Sequence, residues 1–335
     1  MLKISASPHI TDSISTRKIM LLVIIALLPS LTVGIVMFGL RALLLTLVCV
    51  VASVAFEGIC RIIMKRRQTI SDLSAAVTGL LLAMNLPSTL PLWQAIIGCF
   101  IAVVIAKQLF GGLGQNFANP AILARIVLML SFTSDMTTWS ITRFMKGADG
   151  TVTTGATSLL QSGSVETGAT SLLHGGSVTT GATPLVTGNA SYTDLLLGNT
   201  GGCIGEVCAL ALIIGGIFLI AMKVISPVTP LAFIGSLAAL ELIAGNDPIY
   251  QVLSGGLLLG AFFMATDYVT TPITSKGKLI FGLGCGIITF VIRQFGSYPE
   301  GVSFSILLMN ILTPYIDRFT MTKPLGASEP VKENV

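Results

Sequence analysis

Thr183 stands in the stretch Thr180-Gly181-Ala182-Thr183-Pro184-Leu185. A threonine hydroxyl is no nucleophile unaided; it reacts when a base or a second enzyme activates it. The Gly-Ala approach leaves the hydroxyl sterically open, which suits modification by another protein. The same Thr-Gly-Ala-Thr pattern recurs at Thr157 and Thr170, where Ser-Leu replaces Pro-Leu. On residue chemistry alone, so Ser/Thr-rich a stretch reads first as a surface loop. A second set of polar residues lies near or within apolar runs: Glu57, Asp72, Asn85, Lys107, Arg125, Glu206, Glu241 and Asp267. An ionisable group inside a membrane is costly and is a functional candidate by default. Near the end of a run, snorkelling toward water is the plainer reading. Asp267 with Thr266, Thr270 and Thr271 is the densest cluster. The six cysteines form no CxxC pair, and His9 and His174 are the only histidines. No protein metal site is predicted, and no catalytic set emerges.

The elements that must position these residues follow from composition. Of 335 residues, 53% are hydrophobic and 10% charged, against roughly 25% charged in soluble domains. That excludes a water-facing surface and a disordered chain alike. The net charge of +4 gathers mainly at Arg17-Lys18, Arg61 and Lys65-Arg66-Arg67. No basic stripe is interleaved with aromatics, so a nucleic acid is not an expected partner. The first apolar run, from Ile19, is long and lacks a small-residue cleavage site, so it reads as a span and not a signal peptide. The sequence predicts an all-α integral membrane protein of about ten transmembrane helices. They run over 19–38, 42–60, 73–86, 92–109, 121–133, 203–222, 228–245, 249–266, 278–294 and 302–317. The organisation is a first transmembrane half (1–133), a polar loop (134–200), a second transmembrane half (201–320) and a tail (321–335). Lys/Arg placement puts both termini in the cytoplasm and the loop 134–200 outside.

The halves resemble each other. Segment 79–133 begins GLLLAMNLPS and segment 256–312 begins GLLLGAFFMATD. An odd number of spans separates equivalent points, so the two are expected as inverted repeats of about five helices, with a site near the midplane where helices break. The breaks fall at Asn85-Leu86-Pro87 and from Thr266-Asp267 to Pro272. Within the loop, Val152, Val165 and Val178 mark a 13-residue tandem repeat, too short for a solenoid. Inverted repeats and broken helices also typify channels and secondary transporters, which keeps that class open.

Several stretches carry a more specific likeness. They include Ser7-Pro8-His9, Ser74-Ala75-Ala76-Val77-Thr78-Gly79, Ala106-Lys107-Gln108-Leu109-Phe110-Gly111-Gly112, Asn119-Pro120-Ala121, Gly205-Glu206, Thr266-Asp267 and Tyr298-Pro299-Glu300-Gly301. In order and over nearly the whole chain, these resemble the D subunit of the Rnf ion-translocating ferredoxin:NAD oxidoreductase. They are also similar to the B subunit of the sodium-pumping NADH:quinone reductase. The short N-terminus and the Pro-Leu after Thr183 look like the Rnf protein. The resemblance implies FMN joined to threonine as a phosphoester by a flavin transferase. It points to Thr183, whose motif ends Ala-Thr-Pro-Leu, with Thr170 and Thr157 as alternatives. It also implies a second, non-covalent riboflavin among the spans. Asn85, Asp267, Thr266 and Glu206 are candidates for that flavin or for an ion path. Other flavin- and iron–sulfur-bearing subunits are implied as partners, in a plasma membrane, with Na⁺ or H⁺ as the coupled ion. GGLGQN at 111–116 is no phosphate cradle, since no βαβ unit surrounds it.

Overall fold

The computed structural model describes residues 15–140, 142, 180–181, 183–187, 190–296 and 301–321. They are helical and connecting segments, apart from an antiparallel pairing of Trp139–Ser140 with Thr180–Gly181. The first half holds α1 (Thr16–Phe38), α2 (Leu40–Ile63), α3 (Ser74–Met84), α4 (Leu92–Phe100) and α5 (Pro120–Ser131). Helix α4 runs straight into a π-helical segment, π1 (Ile101–Gln108). Three short helices follow: α6 (Thr133–Met136), α7 (Pro184–Thr187) and α8 (Tyr192–Leu197). The second half holds α9 (Ala209–Ala221), α10 (Val228–Ile243), α11 (Pro248–Leu253), α12 (Leu257–Leu259), α13 (Ser275–Phe295) and α14 (Val302–Thr320). Helix α12 continues as a second π-helical segment, π2 (Gly260–Met264). π-Helical turns inside α-helices are rare and concentrate at functional places.

Helix starts obey local chemistry. Asn119 caps α5 through its side chain, with Pro120 in the first turn. Asp247 and Pro248 do the same for α11. The side-chain oxygen takes up orphan amides, and proline gives up a donor that had no partner.

Three helices among the described residues, α1, α2 and α13, are long and apolar enough to cross a membrane. Helix α3, α4 with π1, α5, α9 and α10 are shorter apolar helices. The outward face of α13 is exposed and apolar at Leu279, Leu283, Ile287 and Val291, as is that of α2 at Leu44, Leu47 and Val51. Apolar side chains on the outside and ion pairs on the inside describe a multi-pass membrane protein.

Two predicted spans take a different form. The run 249–266 divides into α11 and α12–π2, because Ser254-Gly255-Gly256 interrupts it and Gly255 adopts φ +70°. The run 203–222 turns helical only at Ala209. Before that, the amides of Ile204 and Gly205 donate to the carbonyls of Leu86 and Met84, at 3.2 and 2.8 Å. A Cβ on Gly205 would sit 2.5 Å from that of Met84, so glycine permits this approach.

One apolar core joins both halves, from Leu82, Met84 and Ile122 to Phe233 and Phe281. The order α3, α4–π1, α5 recurs as α12–π2, α13, α14. The connections collect at two ends. One end joins Arg41 to the Ser88 and Thr89 carbonyls, Thr142 to Asn199, and Arg293 to Gln251. The other joins Lys107 to Ser74 and Tyr268 to the Val224 carbonyl.

Candidate functional site

At the first end, Thr183 is buried, with 3% of its surface exposed. It lines a cavity of about 10 Å³ together with Thr200, Gly201, Glu206, Leu253 and Gly255. The pairing of Thr180–Gly181 with Trp139–Ser140 delivers the residue on one side and α7 carries the chain away on the other. Thr157 and Thr170 lie outside the described residues.

Glu206 connects this cavity to the interior. Its Oε1 lies 3.1 Å from Arg125 Nη1, and both side chains are almost wholly enclosed. The same Nη1 donates to Asn85 Oδ1 at 2.8 Å, while Nη2 approaches Cys203 Sγ at 3.6 Å. The Cys203 thiol donates in turn to the Asn85 carbonyl at 3.1 Å. Gly256 is placed against this pair: a Cβ there would run into the Glu206 carboxylate. Arg125 thus joins two residues singled out from the sequence, Glu206 and Asn85, and Glu206 shares its cavity with a third, Thr183. In the sequence that arginine is only one polar residue in an apolar run. Its signal is nonetheless present, since a guanidinium in PAILARIVLMLS requires a buried partner.

Asn85 is fully engaged. Its amide nitrogen donates to the Leu81 carbonyl at 2.6 Å and meets Met264 Sδ at 3.5 Å, and its oxygen takes the Arg125 bond. Asp267 and Thr266 lie elsewhere, in a larger cavity of about 90 Å³ toward the second end. Met264 stands between the two sites: its carbonyl accepts from Asn119, a lining residue of the larger cavity, at 3.3 Å. The two π-helical segments flank that cavity. The first brings Lys107 to it, and the second leads into Thr266 and Asp267. Asp267 accepts from Thr270 Oγ1 at 3.3 Å. The Thr266 hydroxyl is spent on the Phe262 carbonyl at 2.6 Å. Asn116, Ser74, Phe262 and Phe263 complete the parts of the wall that matter.

Lys107 is 2% exposed. Its ammonium donates to Ser74 Oγ at 2.6 Å and to Glu57 Oε2 at 3.2 Å. Glu57 also accepts from Thr69 at 2.7 Å and lies 3.6 Å from Arg61. The Ser74 hydroxyl donates in turn to Asp72 Oδ1 at 2.6 Å. A buried charge this well paired is tolerated; one left alone is not.

The two cavities differ in what they accept. The smaller one has no room for a flavin ring, so a flavin on Thr183 would project beyond it. The larger one combines apolar side chains with amide, hydroxyl, ammonium and carboxylate groups, a set of donors and acceptors suited to the edge of a polar heterocycle.

A family model described as the NQR2, RnfD, RnfE family matches residues 3–326. The chain is 46% identical over 334 residues to the D subunit of the Na(+)-translocating ferredoxin:NAD(+) oxidoreductase complex of Acetobacterium woodii, covering 99% of this chain and 98% of that one. It is 41% identical to the D subunit of the proton-translocating ferredoxin:NAD(+) oxidoreductase complex of Clostridium ljungdahlii, over 96% of each. It is 36% identical to the D subunit of the ion-translocating oxidoreductase complex of Escherichia fergusonii, over 97% of this chain and 98% of that one.

Proposed function

The chain belongs to the NQR2, RnfD, RnfE family, and from that premise we propose that it is the D subunit of an Rnf-type ion-translocating ferredoxin:NAD oxidoreductase. It works with other membrane and peripheral subunits and is not active alone. It carries FMN as a phosphoester on Thr183, attached by a flavin transferase on the outer face of the plasma membrane. The observation that carries this reading is the Thr-Gly-Ala-Thr-Pro-Leu motif, whose Thr183 shares a cavity with Glu206, in a chain alike to such subunits over nearly its full length. A bound flavin exchanges one or two electrons and so connects one-electron to two-electron carriers.

The residues here do the positioning. Arg125 neutralises Glu206 and fixes Asn85, which ties the outer cavity to the helix break after α3. Lys107, held by Ser74 and Glu57, brings one positive charge to the inner cavity, and Asp267 brings one negative charge. A second, non-covalent flavin would be held in that cavity by lining residues that include Asn116, Asp267, Phe262 and Phe263. The apolar surroundings of the inner cavity let its fixed charges act more strongly than they would in water. The Acetobacterium and Clostridium relatives differ in their ion, Na⁺ in one and H⁺ in the other, so the ion is set by finer features than those shared here.

Inverted membrane vesicles supplied with reduced ferredoxin and NAD⁺ provide the test. Thr183→Ala should abolish ion uptake and ferredoxin-dependent NAD⁺ reduction together. Full activity in that variant would refute the role given to Thr183.

A further inference from the structure

Thr183, which the preceding reading makes the flavin acceptor, is buried. A hydroxyl that a second enzyme must reach cannot react from that position. Tyr250 holds the segment that follows Thr183 at two points. The Tyr250 hydroxyl donates to the Pro184 carbonyl at 2.8 Å and accepts from the Ala190 amide at 3.4 Å. Residues 184 and 190 are thereby fastened to the same oxygen.

Tyr250 itself stands on a fixed base. Asp247 caps the start of α11 by accepting from the Ile249 and Tyr250 amides at 3.0 and 3.3 Å, and the Tyr192 hydroxyl also bonds to it. Arg293 of α13 holds the other end, donating to the Gln251 and Ser254 carbonyls at 2.6 and 3.3 Å. Leu185 lies over Gly255, where a Cβ would come within 2.7 Å of Leu185 Cδ1. Reaching the buried Thr183 hydroxyl requires the segment above this base to open locally.

We propose that Tyr250 is a latch that controls access to Thr183, so that flavin is attached only to an open form in which the Tyr250–Pro184 bond is broken and Leu185 has left Gly255. This rests on Thr183 being the acceptor. In that open form the Thr183 oxygen bonds to the phosphorus of a flavin nucleotide activated through a pyrophosphate. The bond from that phosphorus to the bridging oxygen breaks, and the nucleoside monophosphate departs with the electron pair. The hydroxyl proton passes to a base of the transferase. No oxidation or reduction is involved.

The test uses the complex purified from a host without the transferase, incubated with purified transferase and flavin adenine dinucleotide. Tyr250→Phe keeps the ring and removes the latching hydroxyl. Its initial rate of covalent flavin incorporation should exceed that of the wild type by about twofold to tenfold, the effect of one hydrogen bond on an opening equilibrium. The final incorporation should be equal. Amide hydrogen exchange at residues 185–187 should accelerate by a similar factor. Leu185→Ala, which trims the contact on Gly255, should act in the same direction. Equal or slower incorporation in both variants, or no incorporation into the folded complex of any form, overturns the latch. Fluorescence that survives Thr183→Ala instead overturns the choice of acceptor and leaves the latch without its premise.

Discussion

Arg125 Nη1 and Glu206 Oε1 lie 3.1 Å apart in the enclosed interior, and Glu206 lines the same cavity as Thr183. This pair relates the outer cavity to the helix break at Asn85, and removing either partner strands the other.

Arg125→Met leaves the Glu206 carboxylate buried without its cation. The expected loss of stability is about 3–5 kcal/mol. The double variant Arg125→Met/Glu206→Leu should recover most of it, because neither charge then remains. Denaturation of the purified complex in detergent measures both. A double variant as weak as the single one would show that the pair is not what Arg125 contributes.

Gly256→Ala places a methyl group against the Glu206 carboxylate. Overpacking of this kind costs about 1–3 kcal/mol. A melting temperature equal to that of the wild type would show that the carboxylate has room to move and that the packing at Gly256 is loose.

Asn116→Leu replaces a polar lining residue of the inner cavity by an apolar one of similar size. Flavin released by acid or detergent should fall by about tenfold or more, with covalent flavin unchanged. Retention of the extractable flavin together with loss of ion uptake would assign this cavity to the ion path instead.

The sidedness read from Lys/Arg placement is open to a labelling test. In a variant with its native cysteines replaced, a cysteine at Thr193 should react with an impermeant maleimide in intact cells, and one at Lys223 only after the membrane is opened. The reverse pattern would invert the topology.

Much of this arrangement is legible in the sequence. Apolar runs bounded by Gly, Pro and basic residues mark most helices, since burial toward lipid leaves no other composition. The breaks after Asn85 and before Asp267 are signalled by Pro87 and by Thr266 to Pro272. The division of 249–266 is less visible, because Ser254-Gly255-Gly256 resembles the small residues tolerated inside membrane helices. Only its positive φ distinguishes it. The grouping of site residues is also hidden. Asn85 and Asp267 each stand just past a helix end, one in each half-chain, yet one binds Arg125 and the other faces a separate cavity. Long-range partners such as Arg125 with Glu206, or Tyr250 with Pro184, leave no spacing to read. They follow from how helices pack, which periodicity along one segment does not encode.

The covalent flavin is the centre of the proposed function. The direct measurement is ultraviolet fluorescence of the denatured protein on a gel, from cells that contain the transferase, with mass spectrometry of the peptide bearing Thr183. The wild type should fluoresce and carry FMN on that peptide, and Thr183→Ala should be dark. A dark wild-type band, or a fluorescent band with Thr183 unmodified, would contradict it.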